Sequence, residues 1–154
     1  MKTRETIIGL LACSLGTSVA LADEGHSLTF GSPGKESEAR RTVEVLATDD
    51  MRFSPGKLEV RLGETVKFVV RNGGKLKHEF TIGDRASQRA HALMMKKMPG
   101  MKHEDEPEAV ALEPSETKTL VWKFDKKPAA PLEFACHEPG HYEAGMKIAV
   151  VWSR

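Results

Sequence analysis

Short runs of alternating hydrophobic and polar residues cover most of the chain from residue 42 onwards. The predicted inward positions are Val43, Val45 and Ala47; Leu58, Val60 and Leu62; Val66, Phe68 and Val70; Leu120, Trp122 and Phe124; and Leu132 and Phe134. A period of two is typical of half-buried strands. Ile148 to Trp152 is a near-continuous apolar strand, and Gly- and Pro-rich turns separate the runs. The pattern predicts an all-β sandwich or barrel.

One stretch departs from this pattern. Residues 86–98, ASQRAHALMMKKM, contain helix formers and no β-branched residue, and Pro99-Gly100 follows them. We expect a short helix inserted between strands, followed by an acidic loop over residues 102–108.

The first 22 residues have the organisation of a secretory signal peptide. Lys2 and Arg4 precede an apolar core, and Ala20-Leu21-Ala22 is a small-x-small site that predicts cleavage after Ala22. The chain is therefore expected to be exported to the periplasm. The apolar stretch is too interrupted for a permanent membrane span, so the mature chain is expected to have none. An alternative is acylation at Cys13 within a lipoprotein-like box, Leu10-Leu11-Ala12-Cys13.

The remaining chain divides into a polar N-terminal tail, residues 23–40, and one domain, residues 41–154. The formal net charge is +1, and no segment carries a block of Lys and Arg. A nucleic-acid partner is therefore not expected.

Cysteine is scarce and its position is informative. The chain has 2 Cys, and removal of the signal peptide leaves Cys136 alone. Cys136, His141 and Met146 follow one another at intervals of five residues, and His78 lies far upstream near a strand end. Thiolate and thioether suit Cu(I), imidazoles suit both oxidation states, and a weak axial Met tunes the reduction potential. Zinc competes for Cys and His, but a Met ligand favours copper.

These residues lie within motifs that resemble the cupredoxins, most closely the periplasmic copper-tolerance cupredoxins of the CopI type. The resembling segments are Asp50–Pro55, Gly63–Val66, Asn72–Gly74, His78–Phe80 and Phe134–Met146. The spacing of the ligand loop also resembles that of rusticyanin-like cupredoxins. The resemblance implies a Greek-key β-sandwich. It also implies a mononuclear blue or green copper site with His78, Cys136 and His141 as strong ligands and Met146 as the axial ligand.

The loop also resembles the mononuclear-copper segment of multicopper oxidases, in which a His flanks the Cys on each side. Here His137 matches one flank, but Ala135 replaces the other. The chain has 6 His and no His-x-His pair, too few for a trinuclear cluster, so oxygen reduction of that type is excluded. Two interpretations of His137 stay open: a solvated loop residue, or a polar group that tunes the site.

A second group of soft ligands lies in and after the predicted helix: His91, Met94, Met95, Met98, Met101 and His103. The first four share a helix face by their spacing, and thioethers with imidazole select Cu(I). The group predicts a second copper site with additional Cu(I), and the alternative is that its Met residues pack the helix onto the sandwich. His26 is either a further weak copper contact or a tail residue.

Two functions are compatible with these residues. The first is a copper-tolerance protein that binds or shuttles copper ions. The second is a one-electron carrier between periplasmic redox partners. Copper ions and a redox or copper-transport protein are the expected partners, and the chain is not expected to be an enzyme, since no open coordination position is evident.

Overall fold

The computed structural model describes residues 28–98 and 106–153. This part of the chain contains ten β-strands, one α-helix and a 3₁₀ turn, Glu36–Glu38. The strands are β1 (Ser32–Pro33), β2 (Arg41–Thr48), β3 (Arg52–Ser54), β4 (Lys57–Val60), β5 (Thr65–Asn72), β6 (His78–Asp84), β7 (Ala109–Leu112), β8 (Thr117–Lys123), β9 (Leu132–Ala135) and β10 (Lys147–Trp152). The helix, α1 (Arg85–Lys97), lies between β6 and β7, within one residue of the predicted boundaries.

The strands form two five-stranded sheets, with the orders β1-β8-β5-β2-β3 and β4-β10-β9-β6-β7. β2 pairs with β5 and β4 with β10 in parallel, and the other pairs are antiparallel. The inner faces of both sheets contribute to one hydrophobic core. Phe80 of β6 stacks on Phe134 of β9 with ring centroids 4.4 Å apart. The predicted β-sandwich with one inserted helix is confirmed.

Two predicted strands differ in detail. Leu62 was expected to face inward, but β4 ends at Val60, and Leu62 is 62% exposed in the turn before Gly63. β10 is the predicted near-continuous apolar strand, but only alternate residues are buried: Ile148 is buried and Val151 is exposed.

β6 and β7 do not follow from the hydrophobic pattern. The first six residues of β6 are all buried, including His78 and Glu79. Helix α1 packs against β6, so this strand is covered on its outer face as well as on its core face. A strand buried on both faces loses the alternation that marks a half-exposed strand.

The N-terminal segment is attached more closely than its polar composition indicates. Phe30 is buried, its ring stacks on Trp122 at 5.7 Å, and β1 pairs with β8. Residues 28–40 therefore form part of the sandwich rather than a loose tail.

The signal peptide with its cleavage site after Ala22, the lipoprotein-like Cys13 and His26 lie outside the described residues, as do Met101, His103 and most of the acidic loop. Within the described ranges, no helix has the length and apolarity needed to cross a membrane.

Candidate metal centre

Three of the predicted ligands converge at one end of the sandwich. One donor atom each from His78, Cys136 and His141 lies within 4.8 Å of the other two. Nδ1 of His141 is 3.3 Å from Sγ of Cys136 and 3.3 Å from Nδ1 of His78. His78 is the first residue of β6, which confirms its expected place at a strand end. Cys136 follows directly after β9, so adjacent strands of one sheet supply both residues.

The loop from Cys136 to Met146 is closed by backbone hydrogen bonds. The amide of Cys136 donates to the carbonyl of Met146 (3.1 Å), and the amide of Met146 donates to the carbonyl of His141 (3.0 Å). Gly140 and Gly145 adopt φ angles of +84° and +98°, a region that disfavours other residues. The two glycines permit the tight turns, and the hydrogen bonds of the backbone amides then hold the three ligand positions of the loop together.

A carboxylate orients the upstream histidine. Nε2 of His78 lies 3.3 Å from Oδ1 of Asp49. A carboxylate accepts hydrogen bonds, so Nε2 carries the proton and Nδ1 keeps its lone pair toward the other two donors. Asp49 in turn accepts from the amides of Lys75 (2.8 Å) and Leu76 (3.2 Å). The hydrogen bond from Lys75 is the main cause that holds the pKa of Asp49 below its usual value.

The environment of the site controls the protonation of its ligands. Burial raises the pKa of the Cys136 thiol to about 12, although the amides of Glu138 and Glu79 donate to the sulfur and oppose the shift. Burial, and then the neighbouring His78, lower the pKa of His141. At neutral pH the histidine is therefore neutral and ready to bind a metal. The thiol keeps its proton until a metal displaces it.

Met146 is fully buried in the core cluster that also contains Cys136. Backbone hydrogen bonds join Met146 to both His141 and Cys136 and hold it close to these two residues of the loop. Its role as the axial ligand stays a prediction from the sequence.

The donor set fits copper. Three donor atoms face one another, two of them on fully buried residues, an arrangement that a bound cation stabilises. One thiolate with two imidazoles matches the trigonal His₂Cys set of type 1 copper, whereas structural zinc sites use four strong ligands. His78, Cys136 and His141 therefore have the chemistry and placement that a copper ion requires.

Comparison with known proteins agrees with this geometry. Residues 39–153 match the family described as copper binding proteins, plastocyanin/azurin family. The chain belongs to this family. It is 43% identical to the copper-resistant cuproprotein CopI of Rubrivivax gelatinosus, over 92% of this chain and 93% of that protein. It is 38% identical to the protein of the same name from Pseudomonas aeruginosa, over 82% of this chain and 84% of that protein. The predicted CopI-type cupredoxin is confirmed.

Solved structures of cupredoxins share the fold at low sequence identity. Auracyanin from Roseiflexus castenholzii has a TM-score of 0.62 at 18% identity, covering 75% of this chain and 99% of that chain. Auracyanin B has a TM-score of 0.63 at 20% identity, covering 81% of this chain and 97% of that chain. An azurin from Methylomonas sp. strain J has a TM-score of 0.56 at 17% identity, over 75% of this chain and all of that one.

The described members of the predicted second copper site do not form one exposed surface. Nε2 of His91 lies 2.6 Å from Oε1 of the buried Glu79, and its Nδ1 lies 3.4 Å from Oε2 of Glu106. Met95 is 5% exposed, Met98 is 48% exposed, and Met94 is intermediate between them. These residues therefore differ in burial, because positions i, i+3 and i+4 spread over a wide arc of the helix surface.

His137 is packed rather than solvated. Its ring stacks on Tyr142 with centroids 4.9 Å apart, and its Nε2 lies 2.6 Å from Oε1 of Gln88. Burial lowers its pKa, against the charge of Glu79. Of the two interpretations that the sequence left open, the packed position agrees with a polar group that acts next to the site.

Three residues near the site were not singled out in the sequence. Asp49 orients His78, Arg52 donates to the carbonyl of Ala144 in the ligand loop (2.8 Å), and Gln88 holds His137. Arg52 lies in a segment that resembles the family. Asp49 and Gln88 carry no local pattern, and only the folded chain brings them to the site.

Proposed function

We propose that this protein confers copper tolerance in the periplasm by binding or shuttling copper ions, and that it is a binding protein rather than an enzyme. The single observation that carries the proposal is the convergence of donor atoms from His78, Cys136 and His141. The names of its relatives, copper-resistant cuproproteins, support the biological role.

Each residue has a defined task in this proposal. Asp49 orients His78 so that its Nδ1 would bind the metal, and Cys136 would lose its proton on binding and supply the negative charge. Bound copper would supply one-electron redox chemistry and an intense thiolate-to-metal absorption. Met146 is proposed as the weak fourth ligand, because its thioether belongs to the same loop and its position is fully buried.

The place of action rests on the N-terminal sequence. The signal-peptide pattern of residues 1–22 supports export and cleavage after Ala22. A periplasmic redox or copper-transport protein is the proposed partner.

The alternative function is one-electron transfer between periplasmic partners. It is favoured by one observation: His141 is only partly buried, whereas the other two donor residues are fully buried. A ligand imidazole near the surface provides a short route for an electron. Both functions use the same site, so the biological test must separate them.

The experiment compares cells that lack the gene with cells that carry the parent protein or Cys136→Ser. We expect the parent, but not the variant, to restore growth in added copper, because serine removes the thiolate that binds the metal. Respiratory growth without added copper should be equal in all three strains. Purified Cys136→Ser should lack the visible absorption band and still unfold cooperatively.

A respiratory defect without copper sensitivity would overturn tolerance in favour of electron transfer. A Cys136→Ser protein with an unchanged visible band would overturn the site itself.

A further inference from the structure

A cleft lies between helix α1 and the ligand loop. Its volume is about 290 Å³. The helix lines it with Ala92, Met95 and Lys96, and the loop lines it with His137, Tyr142 and neighbouring residues. The cleft therefore adjoins the copper site through the residue that follows Cys136, but the His-Cys-His set does not use it.

The orientation of the Gln88 side chain can be assigned from its contacts. Its Nε2 donates to the carbonyl of Thr81 (3.1 Å) and to the carbonyl of Glu133 (3.0 Å). Carbonyls accept only, so the nitrogen of the amide must face them, and Oε1 must face His137. Gln88 is 3% exposed, so little water competes for these bonds.

This orientation decides the tautomer of His137. Oε1 of Gln88 is an acceptor, so Nε2 of His137 carries a proton and donates to it over 2.6 Å. The other ring nitrogen, Nδ1, keeps its lone pair. A metal-binding histidine characteristically donates its second N–H to a fixed acceptor, which sets the tautomer and the ring orientation. Tyr142 stacks on the same ring and restricts it further.

The helix supplies a soft donor to the same cleft. Met95 lines it and is 5% exposed, and among the described lining residues its thioether is the only sulfur. A thioether together with an imidazole selects Cu(I) over hard cations. Glu138 and Glu143 line the cleft as well, together with Lys96.

We propose that this cleft binds a second Cu(I) through Nδ1 of His137 and the sulfur of Met95. The site differs from the one predicted on the helix surface, because it takes one ligand from the helix and one from the copper loop. It deepens the proposed function and rests on it: copper held here would lie beside the mononuclear site, where incoming metal is passed on or excess metal is kept.

The test is an anaerobic titration of the mature protein with Cu(I) against a chromophoric Cu(I) chelator. The parent should bind two Cu(I) per chain, and Met95→Leu should bind one, since leucine keeps the volume and removes the sulfur. Met98→Leu is the matched control, because Met98 does not line the cleft, and it should still bind two. All three proteins should show the same visible band when loaded with one Cu(II).

A second measurement locates the metal directly. Long-range ¹H–¹⁵N spectra should show that the second equivalent of Cu(I) shifts Nδ1 of His137, and the Met95 methyl resonance should move with it. One Cu(I) per parent chain, or two in Met95→Leu, would overturn the cleft site. Shifts at His91 or Met98 in place of His137 would also do so. In each of these cases an intact visible band leaves the mononuclear site and the proposed function standing.

Discussion

At the scale of single residues, Glu79 and His91 form a buried charge pair in which Nε2 of His91 lies 2.6 Å from Oε1 of Glu79. Glu79 has a fully buried side chain, and His91 is 10% exposed. Burial disfavours the charged imidazolium, but the hydrogen bond and charge of Glu79, together with the charges of Glu106 and Glu108, outweigh it and raise the pKa of His91. The amide of Glu79 also donates to Sγ of Cys136 (3.3 Å). The pair therefore supports the strand whose backbone amide donates a hydrogen bond to the Cys136 sulfur.

His91→Ala should destabilise the metal-free protein by about 3 kcal/mol at pH 6, because it removes the partner of a buried carboxylate. A raised folded-state pKa means that the folded chain holds the proton more tightly than the unfolded chain. The stabilisation is therefore complete below the unfolded pKa and is lost as the pH rises through the folded pKa. Urea unfolding from pH 6 to pH 9 should show a smaller decline in the variant than in the parent.

Arg89→Ala, an exposed change on the same helix, is the control and should leave the profile within about 0.5 kcal/mol of the parent. Parallel pH profiles for the parent and His91→Ala would contradict the assignment of the charge to His91.

At the scale of elements, the link between β5 and β6 holds Asp49 against His78. Gly74 lies in this link, and a Cβ atom there would overlap the Asp49 carboxylate. The amide of Gly74 is itself fixed by Oδ1 of Asn72 (2.9 Å). Because the amides of Lys75 and Leu76 bind the same carboxylate, the segment has little room to move away.

Gly74→Ala should weaken copper binding roughly 10- to 100-fold, since it displaces the carboxylate that sets the tautomer of His78. Competition with a copper chelator measures the affinity. Gly56→Ala is the matched control, because a Cβ atom there meets nothing within 4 Å. Equal affinities in the two variants would mean that Asp49 does not support the site.

At the scale of the whole molecule, the sandwich is completed by residues that the sequence pattern assigned to a tail. Phe30 packs on Trp122, whose indole Nε1–H donates to the carbonyl of Phe30 (3.4 Å). The N-terminal segment thus packs on β8, a strand far away in the sequence, and forms the edge of this sheet. Leu62 shows the reverse, a hydrophobic residue of a predicted strand that lies exposed.

Phe30→Ala should therefore cost about 3 kcal/mol of unfolding free energy, as expected for a buried aromatic side chain. Leu62→Ala should change it by less than about 0.5 kcal/mol. Urea or thermal unfolding of the metal-free proteins measures both. The opposite ranking would restore the prediction that residues 23–40 are a tail and that Leu62 belongs to the core.

The alternating strands and the ligand loop could be predicted because their information is local. Val66, Phe68 and Val70 face one core and so follow a period of two, and Cys136, His141 and Met146 lie on one short loop whose spacing is visible in the chain. The helix was predicted from composition and its Pro-Gly stop. β6 could not be predicted in this way, because α1 buries its outer face and removes the alternation.

By itself the sequence determined the β-sandwich class, the inserted helix and the spacing of Cys136, His141 and Met146 on one loop, because periodicity and loop spacing are properties of neighbouring residues. Only the tertiary structure decided which polar residues serve those donors. Asp49 meets His78 across a link between strands, and Gln88 reaches His137 from the helix. The tertiary structure also gave His91, Met95 and Met98 different degrees of burial, since burial depends on what packs against each face of the helix. Such contacts join residues far apart in the chain, and no local pattern records them.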